Sequence, residues 1–284
     1  MDRFDRNIKF FGIDGQRLLS ASVVAIVGCG GLGQHVIQQL AYLGVKKLIV
    51  IDDEELSETN KNRYVLAWHS DPVSGLRKVD LVKRTVAMID PGIEIAVVHA
   101  SVRSAEALNA LKQADTIFSC LDDDGPRFIL NEFALAYSKA LFDLASDTEN
   151  KGALIYGGRI AYIGDDEPGC LVCMDLLDTV AVSQFLTNEN ARRDRNELYG
   201  VNVNELDVAG PSVVSLNGVI ASHAVMEFML QATGIRKAKR KLEYRGNMGI
   251  VAVKHEIHAS DCHFCNVVRG SGDNADMTRH VKGE

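Results

Sequence analysis

The chain has 284 residues, with 31 Lys and Arg against 38 Asp and Glu, a formal net charge of −7. That acidic balance argues against a broad nucleic-acid footprint, which needs clustered positive charge, while 46% hydrophobic and 24% charged residues is ordinary globular composition. The longest apolar stretch, residues 213–230, carries Asn217, His223 and Glu227. It reads as a buried or amphipathic helix rather than a membrane span. No basic segment leads into an apolar run near the start, so the expectation is a soluble, cytoplasmic protein with no membrane contact.

In chain order, residues 22–27 (SVVAIV) form a continuous apolar run ending at glycines, as a strand buried on both faces does. Residues 33–43 have helical spacing (Val36, Ile37, Leu40, Leu43) and stop at Gly44. Residues 47–51 predict a second strand, closing on the acidic group 52–55. A helix over 78–89 stops before Pro91, and 93–98 supply a third strand. Helices over 105–111 and 127–137 then alternate with strands over 116–120 and 140–144. This alternation predicts an α/β fold: a doubly wound, Rossmann-like, mostly parallel sheet with crossover helices.

From Gly152 the pattern changes. Residues 153–156 and 160–163 read as paired strands around Gly157 and Gly158, continuing the sheet antiparallel. The polar stretch 188–205 reads as a long exposed loop or mobile crossover. A long helix runs from near Ser212 to Gly234, followed by strands over 242–244 and 249–255. The expected organisation is one domain over 1–267, with a nucleotide-binding half (1–150) and a second half (151–267). Residues 268–284, rich in Gly and charge, read as a disordered tail.

The sequence Gly28-Cys29-Gly30-Gly31-Leu32-Gly33 lies between the first strand and the first helix and matches G-x-G-x-x-G. Glycines permit a tight turn and close backbone approach, and amides at a helix start stabilise a phosphate. Asp52 follows the second strand, 19 residues after Gly33, where a carboxylate can accept from ribose hydroxyls. The bland alternative is a turn serving packing alone. On this motif by itself the plain expectation is an NAD-dependent oxidoreductase.

Downstream residues point elsewhere. Asn60-Lys61-Asn62-Arg63 follow Asp52, and Arg77-Lys78 open the next helix. Transfer at a phosphate builds charge on non-bridging oxygens and on the leaving group, which fixed Arg and Lys offset. Asp122, in Leu121-Asp122-Asp123-Asp124, could hold Mg²⁺, a hard cation that prefers oxygen ligands. The competing readings are solvated surface charge for Arg63 and Lys78, and helix capping for Asp122.

These residues together resemble the ThiF/MoeB family of ubiquitin-activating-enzyme-like adenylyltransferases, over about residues 3–267. The resemblance rests on Arg3-Phe4-Asp5-Arg6-Asn7, Gly12-Ile13-Asp14-Gly15-Gln16, the glycine turn, Asp52, residues 60–63, Lys78, Asp122, Pro211-Ser212-Val213-Val214 and two cysteine pairs. It implies ATP-dependent adenylation of a carboxylate, typically the C-terminal glycine of a ubiquitin-like or sulfur-carrier protein, giving acyl-adenylate and pyrophosphate. By motif position it implies that Gly28, Gly30, Gly31 and Gly33 cradle phosphate and Asp52 binds ribose. Asn60, Arg63 and Lys78 would stabilise the phosphates, and Asp122 would coordinate Mg²⁺. Arg6 resembles the arginine that the family donates across a homodimer interface.

The pairs Cys170/Cys173 and Cys262/Cys265 are separated by 88 residues. Four thiolates in two such pairs suit tetrahedral Zn²⁺ with no open position, and the long separation matches the family; a redox Cys-x-x-Cys is the alternative. Cys29 and Cys120 read as small core residues. No cysteine lies between Cys173 and Cys262, where some family members carry a thioester-forming one. The expectation is therefore a stop at adenylation, with capture by an external nucleophile, such as a conjugating enzyme or sulfurtransferase. The basic run 236–241 reads as a solvated face and the cluster 192–195 as part of the crossover. His223 reads as a core histidine, with Trp68 and His69 near the nucleotide. Three readings compete with activation of a carrier protein. One is adenylation of a peptide, small-molecule or tRNA-nucleoside carboxylate, another an NAD-dependent oxidoreductase, and the third a non-enzymatic scaffold.

Overall fold

The computed structural model describes residues 3–150, 154–164, 168–187, 212–254 and 259–282. The first crossover units form as the apolar periodicity predicts: β1 (Val23–Val27), α2 (Gly31–Leu43), β2 (Lys47–Ile51), α3 (Lys78–Ile89), β3 (Glu94–Val98), α4 (Ala105–Lys112), β4 (Thr116–Ser119) and α5 (Asp124–Ala136). β1, β2 and β4 are buried almost throughout, as parallel strands covered on both faces must be. Helix α1 (Asp5–Leu19), which the sequence pattern did not predict, precedes them and is broken at Gly12, whose φ of 79° and ψ of 168° are not helical.

One eight-stranded sheet runs through the chain in the order β3-β2-β1-β4-β5-β6-β7-β8. Strands β1 to β5 (Ala140–Asn150) pair parallel. β6 (Leu154–Ile163), β7 (Lys241–Arg245) and β8 (Ile250–Val253) continue it antiparallel. The two short strands expected around Gly157 and Gly158 are instead one strand, with both glycines in its middle. A Cβ on either would collide with a neighbouring strand's carbonyl oxygen, so here glycine marks close strand approach rather than a turn.

One core lies under α2, α3 and α7 (Val214–Ala232), the other under α4, α5 and α6 (Thr179–Leu186). The expected crossover at 188–205, the cluster 192–195 and Pro211 lie outside the described residues. Among those described, no helix is long and apolar enough to cross a membrane.

The tail departs from expectation. Instead of a disordered 268–284, residues 268–282 fold back on the second core: the Gly270 amide donates to the Leu135 carbonyl and Met277 and His280 are buried. His280 Nε2 lies 2.8 Å from Glu132 Oε2, and Asp273 takes Lys112 and Tyr137. Composition reported few apolar residues there but not the buried carboxylate on α5 waiting for the tail's cations. The basic run 236–241 is also anchored: Arg236 forks onto buried Glu227, with both contacts at 2.6 Å, and the Lys239 amide joins it at 2.7 Å. His223 is half-buried on α7, not in the core.

Candidate functional site

Strand order reverses between β1 and β4, so the loops leaving their carboxyl ends flank a crevice, the usual place for a ligand in an open α/β sheet. The glycine turn occupies one side. Gly28 has φ +92°, and a Cβ there would stand 2.7 Å from the Cys120 carbonyl oxygen. At Gly33 a Cβ would collide with the Gly28 carbonyl oxygen. Both positions therefore admit only glycine. The turn opens α2 without a side-chain cap, leaving its first amides directed at the crevice.

Asp52 braces this turn. Its Oδ2 accepts from the Cys29 amide at 2.6 Å and its Oδ1 from the Glu54 amide at 2.9 Å. Burial pushes the Asp52 carboxyl up, and the Lys78 charge opposes that. Lys78, at the start of α3, is 5% exposed and ion-paired to Glu54. Burial opposes its charge, but Asp52, Tyr64 and Glu54 overcome it and hold the ammonium above its ordinary pKa.

Arg63 stretches over the start of α2: its Cδ would lie 3.8 Å from a Cβ on Gly31. Its Nη1 donates to the Thr59 carbonyl. Asn60 is buried and braces the loop that carries Arg63, its Oδ1 accepting from the Ser57 amide at 3.0 Å.

The three adjacent aspartates after β4 have separate places. Asp123 caps α5, accepting from the Gly125 amide at 2.8 Å, and Asp124 takes Arg127 and the Asp178 amide. Asp122 is exposed and has no hydrogen-bond partner among the described residues. The capping reading thus belongs to its neighbour, and the Asp122 carboxylate is left without a protein partner among the described residues. A hard oxygen donor beside a phosphate turn fits Mg²⁺.

Arg6 is not brought to this site. Phe4 packs against Gly44 at the far end of α2, about 20 Å from the glycine turn for a helix of this length, and Arg6 is exposed. Trp68 is exposed too, its ring 4.2 Å under the Arg84 guanidinium rather than in the crevice.

Sequence reasoning missed three residues here. Tyr64 is 5% exposed, its hydroxyl 3.5 Å from where a Cβ on Gly30 would sit, and its ring centroid is 5.5 Å from both the Arg63 and Lys78 cations. Its only signal was adjacency to Arg63. Glu54 was read merely as one of an acidic group. Asn217, buried on α7, presses on Gly31 and links Ser146 of β5 to Ser212; nothing local in the sequence tied it to a turn some 185 residues earlier.

The four paired cysteines converge, every Sγ lying within 4.8 Å of the others. Cys170 to Cys262 and Cys173 to Cys265 both measure 3.8 Å. That equals the edge of a tetrahedron with metal–sulfur bonds of about 2.3 Å and is far too long for a disulfide. The Leu171 amide is fixed by Asn131 at 2.8 Å, which sets the first knuckle. The residues present fit Zn²⁺. Cys29 and Cys120 are buried, as expected of core cysteines.

The ThiF family pattern matches residues 4–264. The chain belongs to the ThiF family. The molybdopterin-synthase adenylyltransferase of Escherichia coli K12 is 30% identical over 239 residues, covering 84% of each chain. The Xenopus laevis adenylyltransferase and sulfurtransferase MOCS3 is 28% identical over 163 residues, 57% of this chain. This chain spans about a third of that relative's length, 34%. Among solved structures, Escherichia coli MccB with MccA-N7isoASN superposes with a TM-score of 0.75 at 17% identity, covering 94% of this chain and 75% of that one. That likeness concerns the fold alone.

Proposed function

We propose that this ThiF-family chain is an ATP-dependent adenylyltransferase that activates the C-terminal carboxylate of a sulfur-carrier or ubiquitin-like protein. The observation that carries the reading is the crevice between β1 and β4. The glycine turn, with Arg63 and Lys78 near it and Asp122, a carboxylate with no partner among the described residues, supports this reading. A dehydrogenase has no use for cations in front of an already cradled pyrophosphate, whereas attack of one anion on another requires their repulsion to be screened.

In the reaction, a carboxylate oxygen attacks the α-phosphorus of ATP and the bond from that phosphorus to the pyrophosphate oxygen breaks, leaving acyl-adenylate and pyrophosphate. The glycine-turn amides hold phosphate oxygens, with Asp52 holding the turn in place and standing where ribose hydroxyls arrive. Arg63 and Lys78 offset the charge that grows on the non-bridging oxygens and the leaving group, and Asn60 supports Arg63. Asp122 would hold Mg²⁺, which when bound would supply further charge neutralisation. The four cysteines would hold a structural Zn²⁺ remote from this step.

Arg6, too far to serve its own crevice, acts in the crevice of a second copy, so the working form is a homodimer. Phe10, one turn beyond Arg6, is 63% exposed and Ile13 is 54% exposed, which supplies apolar surface for that contact. With no cysteine between Cys173 and Cys262, the acyl-adenylate passes to an external nucleophile, on a sulfurtransferase or conjugating enzyme.

Mg²⁺-dependent exchange of labelled pyrophosphate into ATP tests the reading, supplied in turn with a small carrier protein ending in Gly-Gly, a short peptide and a small carboxylic acid. Exchange with the carrier is expected. Exchange only with the peptide or acid reassigns the substrate, and tight NAD binding with no ATP binding defeats the reading.

A further inference from the structure

Beneath the Asp122 turn lies a buried ionic cluster that does not line the crevice. Asp143 of β5 is fully buried. It accepts from Ser119 Oγ at 2.8 Å and Arg159 Nη1 at 2.5 Å, and Arg127 Nε lies 3.6 Å away. Burial alone would raise the Asp143 carboxyl, and the two arginines and the serine bring it below its ordinary value. Arg127, on the first turns of α5, spreads its fork over three elements. Its Nη2 donates to the Leu121 carbonyl at 2.5 Å and the Leu144 carbonyl at 3.2 Å, while Nη1 meets Asp124 at 2.9 Å. Arg159 reaches on to the Leu176 carbonyl at 2.9 Å.

Buried ions are costly unless fully bonded, and an apolar replacement is often as stable. A cluster of two arginines and two aspartates under a catalytic loop therefore calls for a reason besides stability. We propose that Arg127 is a positioning residue for Asp122, clamping the carbonyl immediately before it to strand β5, and that Asp143 holds Arg127 in place. The inference rests on the adenylation reading only for the part Asp122 plays.

The turn has three fixed points. The Cys120 amide donates to the Val27 carbonyl, Asp123 caps α5, and between them, among the described residues, the Arg127 contact to Leu121 is the hydrogen bond that restrains the backbone carrying Asp122. Since Asp122 itself bonds nothing among the described residues, that backbone sets the point from which its carboxylate can reach. A site for a hard cation needs such placement to within about half an ångström. A planar fork can hold two carbonyls and a carboxylate together; a lysine, a point charge, cannot.

Arg127→Lys keeps the charge and removes the fork. In the nucleotide-free full chain, hydrogen exchange at the Cys120 and Gly125 amides should quicken about tenfold, the lower end of what one hydrogen bond from a charged group contributes. Amides of β2 should be unchanged. Mn²⁺ binding to the ATP complex, read by electron paramagnetic resonance, should weaken about tenfold with metal-free ATP affinity unaltered, and half-saturating Mg²⁺ in pyrophosphate exchange should rise alike. Unchanged exchange and Mn²⁺ affinity in folded Arg127→Lys would overturn the proposal, as would loosening spread evenly over the sheet. Should that variant not fold, Ser119→Ala removes one donor to Asp143 and should move the same readouts about threefold; no movement overturns the proposal equally. A wild type lacking Mg²⁺-dependent pyrophosphate exchange would defeat the adenylation reading, while the amide-exchange arm still decides the positioning role.

Discussion

The glycine turn and the cysteine cluster solve opposite problems. Within the turn, six consecutive residues with Asp52 set the geometry, and its tolerances are steric: at Gly28 and Gly33 neighbouring carbonyl oxygens leave no room for a Cβ. The cluster instead gathers two pairs with 88 residues between them, the first at a turn and the second at a short helical turn, Phe264–Val268. Backbone shape sets what the turn can hold, whereas the close approach of four cysteine sulfurs makes the cluster fit a tetrahedral cation. One region should therefore fail by distortion and the other by loss of a ligand.

The sharpest way to break the comparison is to remove the metal. Chelation, or Cys265→Ser, is expected to lower Tm by about 10 °C or more, because binding at structural zinc sites is folding free energy, while ATP affinity below the transition stays within about threefold. Metal analysis of the untreated chain should return about one zinc per chain. Equal loss of ATP affinity and stability would mean that the two regions are not separable. Gly33→Val should be next in size, abolishing nucleotide binding and destabilising β1 and α2 by several kcal/mol, since backbone oxygen rather than a flexible side chain occupies the space. Calorimetry with ATP together with thermal melts checks it.

Smaller in stability but large in rate, Arg63→Ala and Asp122→Ala should each slow adenylate formation about 10²- to 10³-fold with Tm nearly unchanged. Both side chains stand at the crevice without supporting the core. Wild-type turnover in either variant would remove that residue from the mechanism.

What the sequence made legible follows the same division. Strands β1, β2 and β4 and the turn after β1 were readable because their constraints are local: unbroken apolar runs and a fixed glycine spacing. Asp122 was picked from three adjacent aspartates by motif position alone; what the structure adds is that the capping role falls to Asp123. Tyr64 and Asn217 were missed because their place is set by tertiary packing onto Gly30 and Gly31. Helix α1 was missed because Gly12 and Gly15 break its apolar period, although both sit where a kink and a close contact need them. Gly157 and Gly158 misled because a glycine in a strand and a glycine in a turn look alike until the neighbouring strand is present.

The smallest effect concerns the tail, which extends beyond the family match and packs on the cysteine side of the molecule. Glu132 is 1% exposed and meets His280 at 2.8 Å and Arg279. Burial works against its ionisation, but the hydrogen bond from His280 and the charge of Arg279 overcome that and leave the carboxyl below its ordinary value. A carboxyl depressed in the folded state stabilises above its unfolded pKa, about 4.3, and that contribution disappears as pH falls through the folded value. Glu132→Gln should therefore cost about 1–2 kcal/mol at pH 7, a figure reduced because Arg279 is part-exposed, and lower Tm by a few degrees. The gap between wild type and variant should begin to narrow below about pH 4, where the carboxyl of the unfolded chain takes up its proton, and should close as pH falls through the lower folded value, where the protonated carboxyl resembles the amide. A gap that stays constant from pH 7 to pH 3 would show that shape rather than charge seats the tail on α5.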